Sequence, residues 1–334
     1  MTRSLIERYC DCLSVTSDTP VITLGEGSTP LVSAPVLSKR LGVDLHLKLE
    51  SLNPTASFKD RGMTVAVSKA LENGARAVIC ASTGNTAASA AAYAARAGIP
   101  AVILQPAGAV ALGKLAQARA VGAVVLEVKG SFDQALSAAR ELAEHGEYAL
   151  VNSLNPYRIE GQKTVVFEIA DALGSLPDAI CLPYGGGGNT RSLGVGIAEL
   201  GKGNPLIVAV QSVDRASTVA SAIRIVDPVH RTEAEAVVER SEGSIVTVTD
   251  AEILSAWSDL AREEGVFCEP SSAAGIAALY KSKDLVGNRV VCIITGHGLK
   301  DPKLVEESTD LPVTVEPNAE AIAAAIASAS IAQR

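Results

Sequence analysis

The stretch A-V-I-C-A-S-T-G-N-T-A-A-S-A-A-A-Y-A-A-R-A-G-I-P-A-V-I-L, residues 77–104, decides the fold. Ala77 to Ala81 is continuously apolar and too short for a helix, so it reads as a strand buried on both faces. Thr86 to Arg96 is an alanine-rich helix closed by Gly98, and Ala101 to Leu104 is the next strand. The same alternation runs outward. Lys114 to Ala120 is a helix ended by Gly122, Ala123 to Val128 a strand, and Phe132 to Glu144 a helix ended by Gly146. Upstream, Val43 to Leu49 alternates as a two-faced strand. A helical pattern then runs from Asp60 to Asn73-Gly74. Later strands are Ala179 to Leu182, Leu206 to Gln211 and Arg289 to Thr295. Helices are expected at Gly161 to Leu173, Arg191 to Leu200, Asp250 to Glu264, Ser271 to Leu279 and terminally at Ala321 to Ala329. Apolar strands alternating with helices define an α/β fold with parallel-rich sheets flanked by helices.

A chain of 334 residues suggests two domains or one large one. No linker is visible, so the chain is expected to pass between them more than once. With 48% hydrophobic and 20% charged residues, disorder is excluded. A net charge of −8 argues against a nucleic-acid binder. No apolar run approaches the roughly 18 residues of a membrane span, and no signal peptide is expected at the N-terminus. Cysteines at 10, 12, 80, 181, 268 and 292 are scattered, and three of them, Cys80, Cys181 and Cys292, lie in apolar runs. They read as structural thiols of a reduced, cytoplasmic protein. The histidines at 46, 145, 230 and 297 show no ligand spacing, so no metal is expected.

Open α/β sheets bind ligands beyond the carboxyl ends of their strands. After Ala77–Ala81, Ser82-Thr83-Gly84-Asn85-Thr86 opens a helix. It reads either as an ordinary N-cap turn or as an anion site. After Ala179–Leu182 comes Gly185-Gly186-Gly187-Gly188-Asn189-Thr190, whose bare amides suit a phosphate. This matches neither G-x-G-x-x-G nor the Walker A pattern, so NAD and ATP are not indicated. Gly108 to Leu115 is a near-miss Walker A, with Leu115 where a hydroxyl would hold magnesium. Lys114 remains as an anion contact. Thr295 ends a strand, where its hydroxyl needs a partner. Lys59, in Ser57-Phe58-Lys59-Asp60-Arg61-Gly62, opens a helix, where the dipole disfavours a cation. It is either simply solvated or desolvated into a nucleophilic amine. One lysine and two anion-binding helix starts fit a cofactor carrying its own phosphate and electrophile. Pyridoxal 5′-phosphate (PLP) is such a cofactor.

Five segments then carry a resemblance. They are Leu24–Leu31 (L-G-E-G-S-T-P-L), Asn53–Met63 (N-P-T-A-S-F-K-D-R-G-M), Ala81–Thr86 (A-S-T-G-N-T), Val151–Thr164 (V-N-S-L-N-P-Y-R-I-E-G-Q-K-T) and Thr295–Pro302 (T-G-H-G-L-K-D-P). In order and content they resemble the threonine synthase family of fold-type II PLP enzymes. The resemblance implies a two-domain fold with PLP in the interdomain cleft. The smaller α/β domain would span 57–152, and 1–56 plus 153–334 would form the larger. Lys59 would be the Schiff-base lysine and proton shuttle, with Phe58 beside it. Asn85 would meet the PLP 3′-oxygen, Gly185, Gly186, Gly187, Gly188 and Asn189 its phosphate, and Thr295 its pyridine nitrogen. Ser82, Thr83 and Thr86 would hold the substrate carboxylate or its phosphate. Asn152, Ser153 and Arg158, helped by Lys114, would bind the substrate phosphate.

The implied reaction converts O-phospho-L-homoserine and water to L-threonine and phosphate, in a cytoplasmic homodimer without an allosteric domain. One departure keeps alternatives open. The loop Tyr184–Asn189 differs from the family's common G-N-A-G-N and is closer to amino-acid dehydratases. A serine/threonine dehydratase is therefore the first alternative. A paralogue replacing groups on a related phosphorylated amino acid is the second, and a non-catalytic binding protein the third.

Overall fold

The computed structural model describes residues 3–108, 112–144, 146–282, 286–308 and 312–332. Ten strands are present among the described residues: β1 Leu31–Ser33, β2 Asp44–Lys48, β3 Ala77–Ala81, β4 Ala101–Pro106, β5 Val124–Val128, β6 Tyr148–Leu150, β7 Ala179–Pro183, β8 Leu206–Ser212, β9 Ser244–Val248 and β10 Arg289–Ile293. The α-helices are α1 Leu5–Tyr9, α2 Pro35–Leu41, α3 Lys59–Glu72, α4 Asn85–Ala97, α5 Leu112–Ala120, α6 Phe132–Glu144, α7 Pro156–Leu173, α8 Gly188–Leu200, α9 Arg231–Arg240, α10 Asp250–Glu263, α11 Pro270–Ser282, α12 Pro302–Ser308 and α13 Ala319–Ala332. The chain divides into two compact units, Met1–Lys300 and Asp301–Arg334. The second holds α12 and α13.

All ten strands lie in the first unit, in two sheets. One has the order β5-β4-β3-β6 and is wholly parallel. The other has the order β1-β2-β10-β7-β8-β9 and is parallel except for the edge strand β1. Both are covered on two faces, as continuous apolar strands require. In the four-stranded sheet, Val78, Cys80 and Ile103 pack under α3, α4 and α5, while Ile79 and Leu104 pack under Leu136 and Ala139 of α6. In the six-stranded sheet, Ile180, Leu182 and Ile207 meet α7, α8 and α9. On its other face, Gly275 of α11 lies against Cys181 and Cys292. No helix among the described residues is long and apolar enough to cross a membrane.

Two helices start three or more residues earlier than the periodicity suggests, and both bear on the proposed site. α7 begins at Pro156 rather than Gly161. The Asn155 side chain accepts from the Tyr157 N–H at 3.0 Å, and proline takes the first helical position. α8 begins at Gly188 rather than Arg191, so Asn189 and Thr190 lie in its first turn. At the other extreme, β10 stops at Ile293, leaving Thr295 two residues beyond it.

α3 and α7 cross almost backbone to backbone. A Cβ on Gly161 would lie 1.9 Å from the Arg61 carbonyl, and one on Gly62 would lie 2.5 Å from the Arg158 carbonyl. Glycine at both positions lets the helix bearing Lys59 approach the helix bearing Arg158. Beside this crossing lies a buried ionic cluster. Arg61 donates to Glu50 at 2.6 and 2.7 Å and to Glu168 at 2.6 and 2.8 Å, and Lys48 donates to Glu168 at 2.7 Å. Two acids balance two bases, which is the condition for burying charge.

Candidate active site

Lys59 is the first residue of α3, and the loop before it is zipped to the loop after β10. The Phe58 N–H donates to the Thr295 carbonyl at 3.0 Å, and the His297 N–H to the Ala56 carbonyl at 3.1 Å. The next residue, Asp60, is buried and anchors the helix start. It accepts from the Thr55 N–H and hydroxyl, both at 2.6 Å, and from the Ser89 hydroxyl at 2.5 Å. The Lys59 ammonium stands 4.3 Å from the centre of the Phe58 ring. Burial pulls its amine down to about 7, the positive charge of Arg158 pulls the same way, and Glu269 and Cys80 oppose. Of the two readings left open by the sequence, the desolvated amine is the one the structure shows.

Arg158 is fully buried in the first turn of α7. One guanidinium nitrogen donates to the Val151 carbonyl at 2.9 Å, but Nε and Nη2 have no hydrogen-bond partner. Burial draws the group down to about 10, still cationic at neutral pH. A buried cation with orphaned donors beside an amine calls for an anion.

The Ser82–Thr86 segment joins β3 to α4. Ser82, Thr83 and Thr86 are half-buried, and the Ser82 hydroxyl accepts from the Gly84 N–H at 3.1 Å. Asn85 is buried, and its Nδ2 faces both carboxylate oxygens of Glu269 at 3.2 Å. Its Oδ1 is left without a partner. Asn152 spends its amide on Ala81, accepting from the N–H at 3.0 Å and donating to the carbonyl at 2.7 Å. Its side chain thus clasps the end of β3 to the loop after β6, and Ser153 follows it half-buried. Lys114 has a side chain outside the described residues.

The glycine loop joins β7 to α8. Gly187 takes φ +82°, and a Cβ there would lie 2.8 Å from the His230 carbonyl, so glycine is required twice over. Asn189 Nδ2 and Thr190 Oγ1, in the first turn of the thirteen-residue helix α8, are buried and unpartnered. Bare amides, a helix N-terminus and two orphaned polar groups suit a phosphate. Thr295 is buried, and its hydroxyl lies 2.9 Å from that of Ser272, which in turn accepts from the Gly296 N–H at 2.9 Å. The contacts link into one site. Lys59 meets Thr295 through the backbone of Phe58, Asn85 meets Glu269, and a Cβ on Gly188 would lie 3.8 Å from that of Ser153.

Sequence reasoning missed Glu269, Ser272 and His230, and named Thr190 only as the end of the glycine loop. Glu269-Pro270-Ser271-Ser272 opens a helix just as Ser82–Thr86 does, and that was the available signal. His230 had none. Among the described residues no group of three or more His, Cys, Asp or Glu stands where it could hold a metal ion.

The family model for pyridoxal-phosphate dependent enzymes matches residues 22–296. A threonine synthase of Synechocystis sp. is 50% identical, over 97% of this chain and 91% of that protein. A threonine synthase of Halalkalibacterium halodurans is 48% identical, over 95% of each. The chain belongs to the threonine synthase family of pyridoxal-phosphate dependent enzymes. Among solved structures, the processed form of threonine deaminase isoform 2 from Solanum lycopersicum superposes with a TM-score of 0.71 at 27% identity, covering 83% of this chain and 81% of that one. The dehydratase-like glycine loop therefore sits in a chain far more similar to threonine synthases. A threonine synthase is a carbon–oxygen lyase, and its cofactor is PLP. The residues fit that group. The glycine cradle suits its phosphate, the orphaned Asn85 Oδ1 marks an unfilled polar position, and the depressed Lys59 amine is of the kind that can add to its aldehyde.

Proposed function

We propose that this chain converts O-phospho-L-homoserine and water to L-threonine and inorganic phosphate. The observation that carries the reading is Arg158, a buried guanidinium with two orphaned nitrogens near Lys59. It supplies a second anion site, separate from the glycine cradle at α8. A dehydratase acting on an unphosphorylated amino acid has no use for it.

In this reading Gly185–Gly188, Asn189 and Thr190 hold the cofactor phosphate, and Thr295 faces its ring nitrogen. Phe58 flanks the lysine, and the Asn85 amide meets the ring oxygen. PLP, when bound, withdraws electrons from the substrate α-carbon and makes its proton removable. Lys59 Nζ, neutral near pH 7, takes that proton and relays protons at the neighbouring carbons. Ser82, Thr83 and Thr86 hold the substrate carboxylate at the start of α4. Arg158 and Ser153 hold the substrate phosphate as its C–O bond breaks, and Asn152 fixes the backbone around them. Water then adds to the β-carbon. Residues 57–152, which carry the four-stranded sheet, act as the smaller domain. All six cysteines are free thiols, which supports a reducing compartment and hence the cytoplasm. The homodimer belongs to the same reading, and light scattering at twice the monomer mass would support it.

The test is an assay of purified protein with O-phospho-L-homoserine. Stoichiometric phosphate and threonine are expected. Phosphate with 2-oxobutyrate instead of threonine would overturn the synthase assignment in favour of elimination. Arg158→Ala should raise KM for the phosphorylated substrate about a hundredfold or more, as loss of a charge-assisted bidentate contact does. An unchanged KM would remove Arg158 from the site.

A further inference from the structure

His230 is buried, yet it lies on the segment that leads into α9, away from every motif of the site. Its contacts run to both anion-binding loops. Its N–H donates to the Gly186 carbonyl at 3.0 Å. Its own carbonyl crowds the α-carbon of Gly187, and its ring would lie 3.4 Å from a Cβ on Gly188. Its Nε2 stands 2.9 Å from the Ser153 carbonyl, and its Nδ1 3.1 Å from an Arg191 guanidinium nitrogen. A carbonyl only accepts and a guanidinium only donates. Nε2 therefore carries the ring hydrogen and donates to Ser153, while Nδ1 accepts from Arg191. Glu233, 3.6 Å from Nδ1 and 3.2 Å from Arg191, fixes that arginine.

We propose that His230 is a positioning residue that fixes the substrate-phosphate loop against the cofactor-phosphate loop. The geometry gives the reason. From the Ser153 carbonyl the chain runs only five residues to Arg158, through the Asn155 cap that starts α7. Holding Ser153 therefore sets where α7 begins and where the Arg158 donors point. The same edge of the ring would lie 3.4 Å from a Cβ on Gly188, and the His230 backbone holds Gly186 and Gly187 just before α8. His230 thus fixes the distance between two anions, one on the cofactor and one on the substrate. A preorganised loop has less ordering left to do when the ligand arrives.

This inference rests on the phosphorylated-substrate reading, so its test uses a probe that does not depend on turnover. Inorganic phosphate is titrated calorimetrically into the holoenzyme, alongside kinetics with O-phospho-L-homoserine. His230→Phe keeps the ring shape and leaves the Ser153 carbonyl unpaired. Phosphate binding should weaken and KM rise roughly tenfold, the size of one buried acceptor left unsatisfied, with kcat changed much less. His230→Gln restores a donor near the Nε2 position and should recover most of the loss. A folded His230→Phe with wild-type phosphate affinity and KM overturns the proposal. So does a variant that loses cofactor while its phosphate affinity holds. Should His230→Phe fail to fold, Arg191→Met takes its place, because that side chain is 35% exposed. It removes the donor that sets the ring tautomer, and phosphate affinity should fall about threefold. No change there also overturns the proposal. If the wild-type enzyme itself ignores O-phospho-L-homoserine, the substrate reading fails, and the phosphate titration still decides the role of His230.

Discussion

At the scale of single residues, the proposed chemistry turns on an amine that is about half neutral at pH 7, where most lysines are charged. An exposed lysine titrates near 10.4 and is a poor nucleophile at pH 7. Lys59 is brought down to about 7 mainly by burial, with a contribution from Arg158 and opposition from Glu269 and Cys80. A depressed lysine gains its neutral form as pH rises through the folded value. In the cofactor-free protein, competitive acetylation of Lys59 should therefore follow a titration curve with its midpoint near 7. Arg158→Gln removes a neighbouring positive charge, so the midpoint should move up. Glu269→Gln removes a negative charge, so it should move down. A midpoint near 10 in the folded wild type would sink this account of the nucleophile. Arg158 is costly alone, since it is cationic and desolvated. In the proposed reading a phosphate dianion bound beside it repairs that deficit.

At the scale of elements, the site depends on how closely α3 and α7 approach, and the buried ionic cluster sits at that approach. Burial opposes ionisation of Glu168, but Arg61 and Lys48 outweigh it and hold the carboxyl at about 2. A carboxylate depressed from its ordinary value contributes stability that is fully present above about 4.5. That contribution is lost as pH falls toward 2. Glu168→Gln should cost about 3–5 kcal/mol at pH 7, because it leaves two buried cations short of a partner. Its remaining stability should vary less between pH 4.5 and 2 than the wild type's. Urea denaturation across that range tests both. Equal loss of stability with acid in the two proteins would show that other carboxylates govern acid unfolding. The cluster also marks where sequence reading stops. β3, α4 and α6 were legible because each has one unbroken period and a clear end. β1, β6 and β9 were not, because edge strands of three to five residues carry too little pattern. The start of α8 was hidden because its first residue is Gly188, a poor helix former that follows three more glycines.

At the scale of the whole molecule, the site draws on both sheets. Lys59 and Asn85 come from helices on the four-stranded sheet, while Gly185–Asn189, Glu269 and Thr295 come from the six-stranded one and Arg158 from α7, which packs on it. Motif order along the chain pointed to Asn85, Gly185–Asn189 and Thr295, each of which follows a strand where open sheets bind ligands. It could not reveal His230, Glu269 or Ser272, whose partners lie more than twenty residues away in sequence. A ligand gripped by both sheets should tie them together. Anything that binds only the folded state stabilises it by about 2.7 kcal/mol at a concentration one hundred times its Kd. For a chain of this size that corresponds to a rise in Tm of roughly 4 °C. Removing PLP should therefore lower Tm by at least that much and raise amide exchange at the ends of β3, β7 and β10 together. Lys59→Ala should lose most of the gain at low PLP, since only the glycine cradle and its neighbours then hold the cofactor. If exchange rises at β7 and β10 while β3 stays protected, the cofactor rests on the six-stranded sheet alone, and the grip from Lys59 and Asn85 contributes nothing to stability.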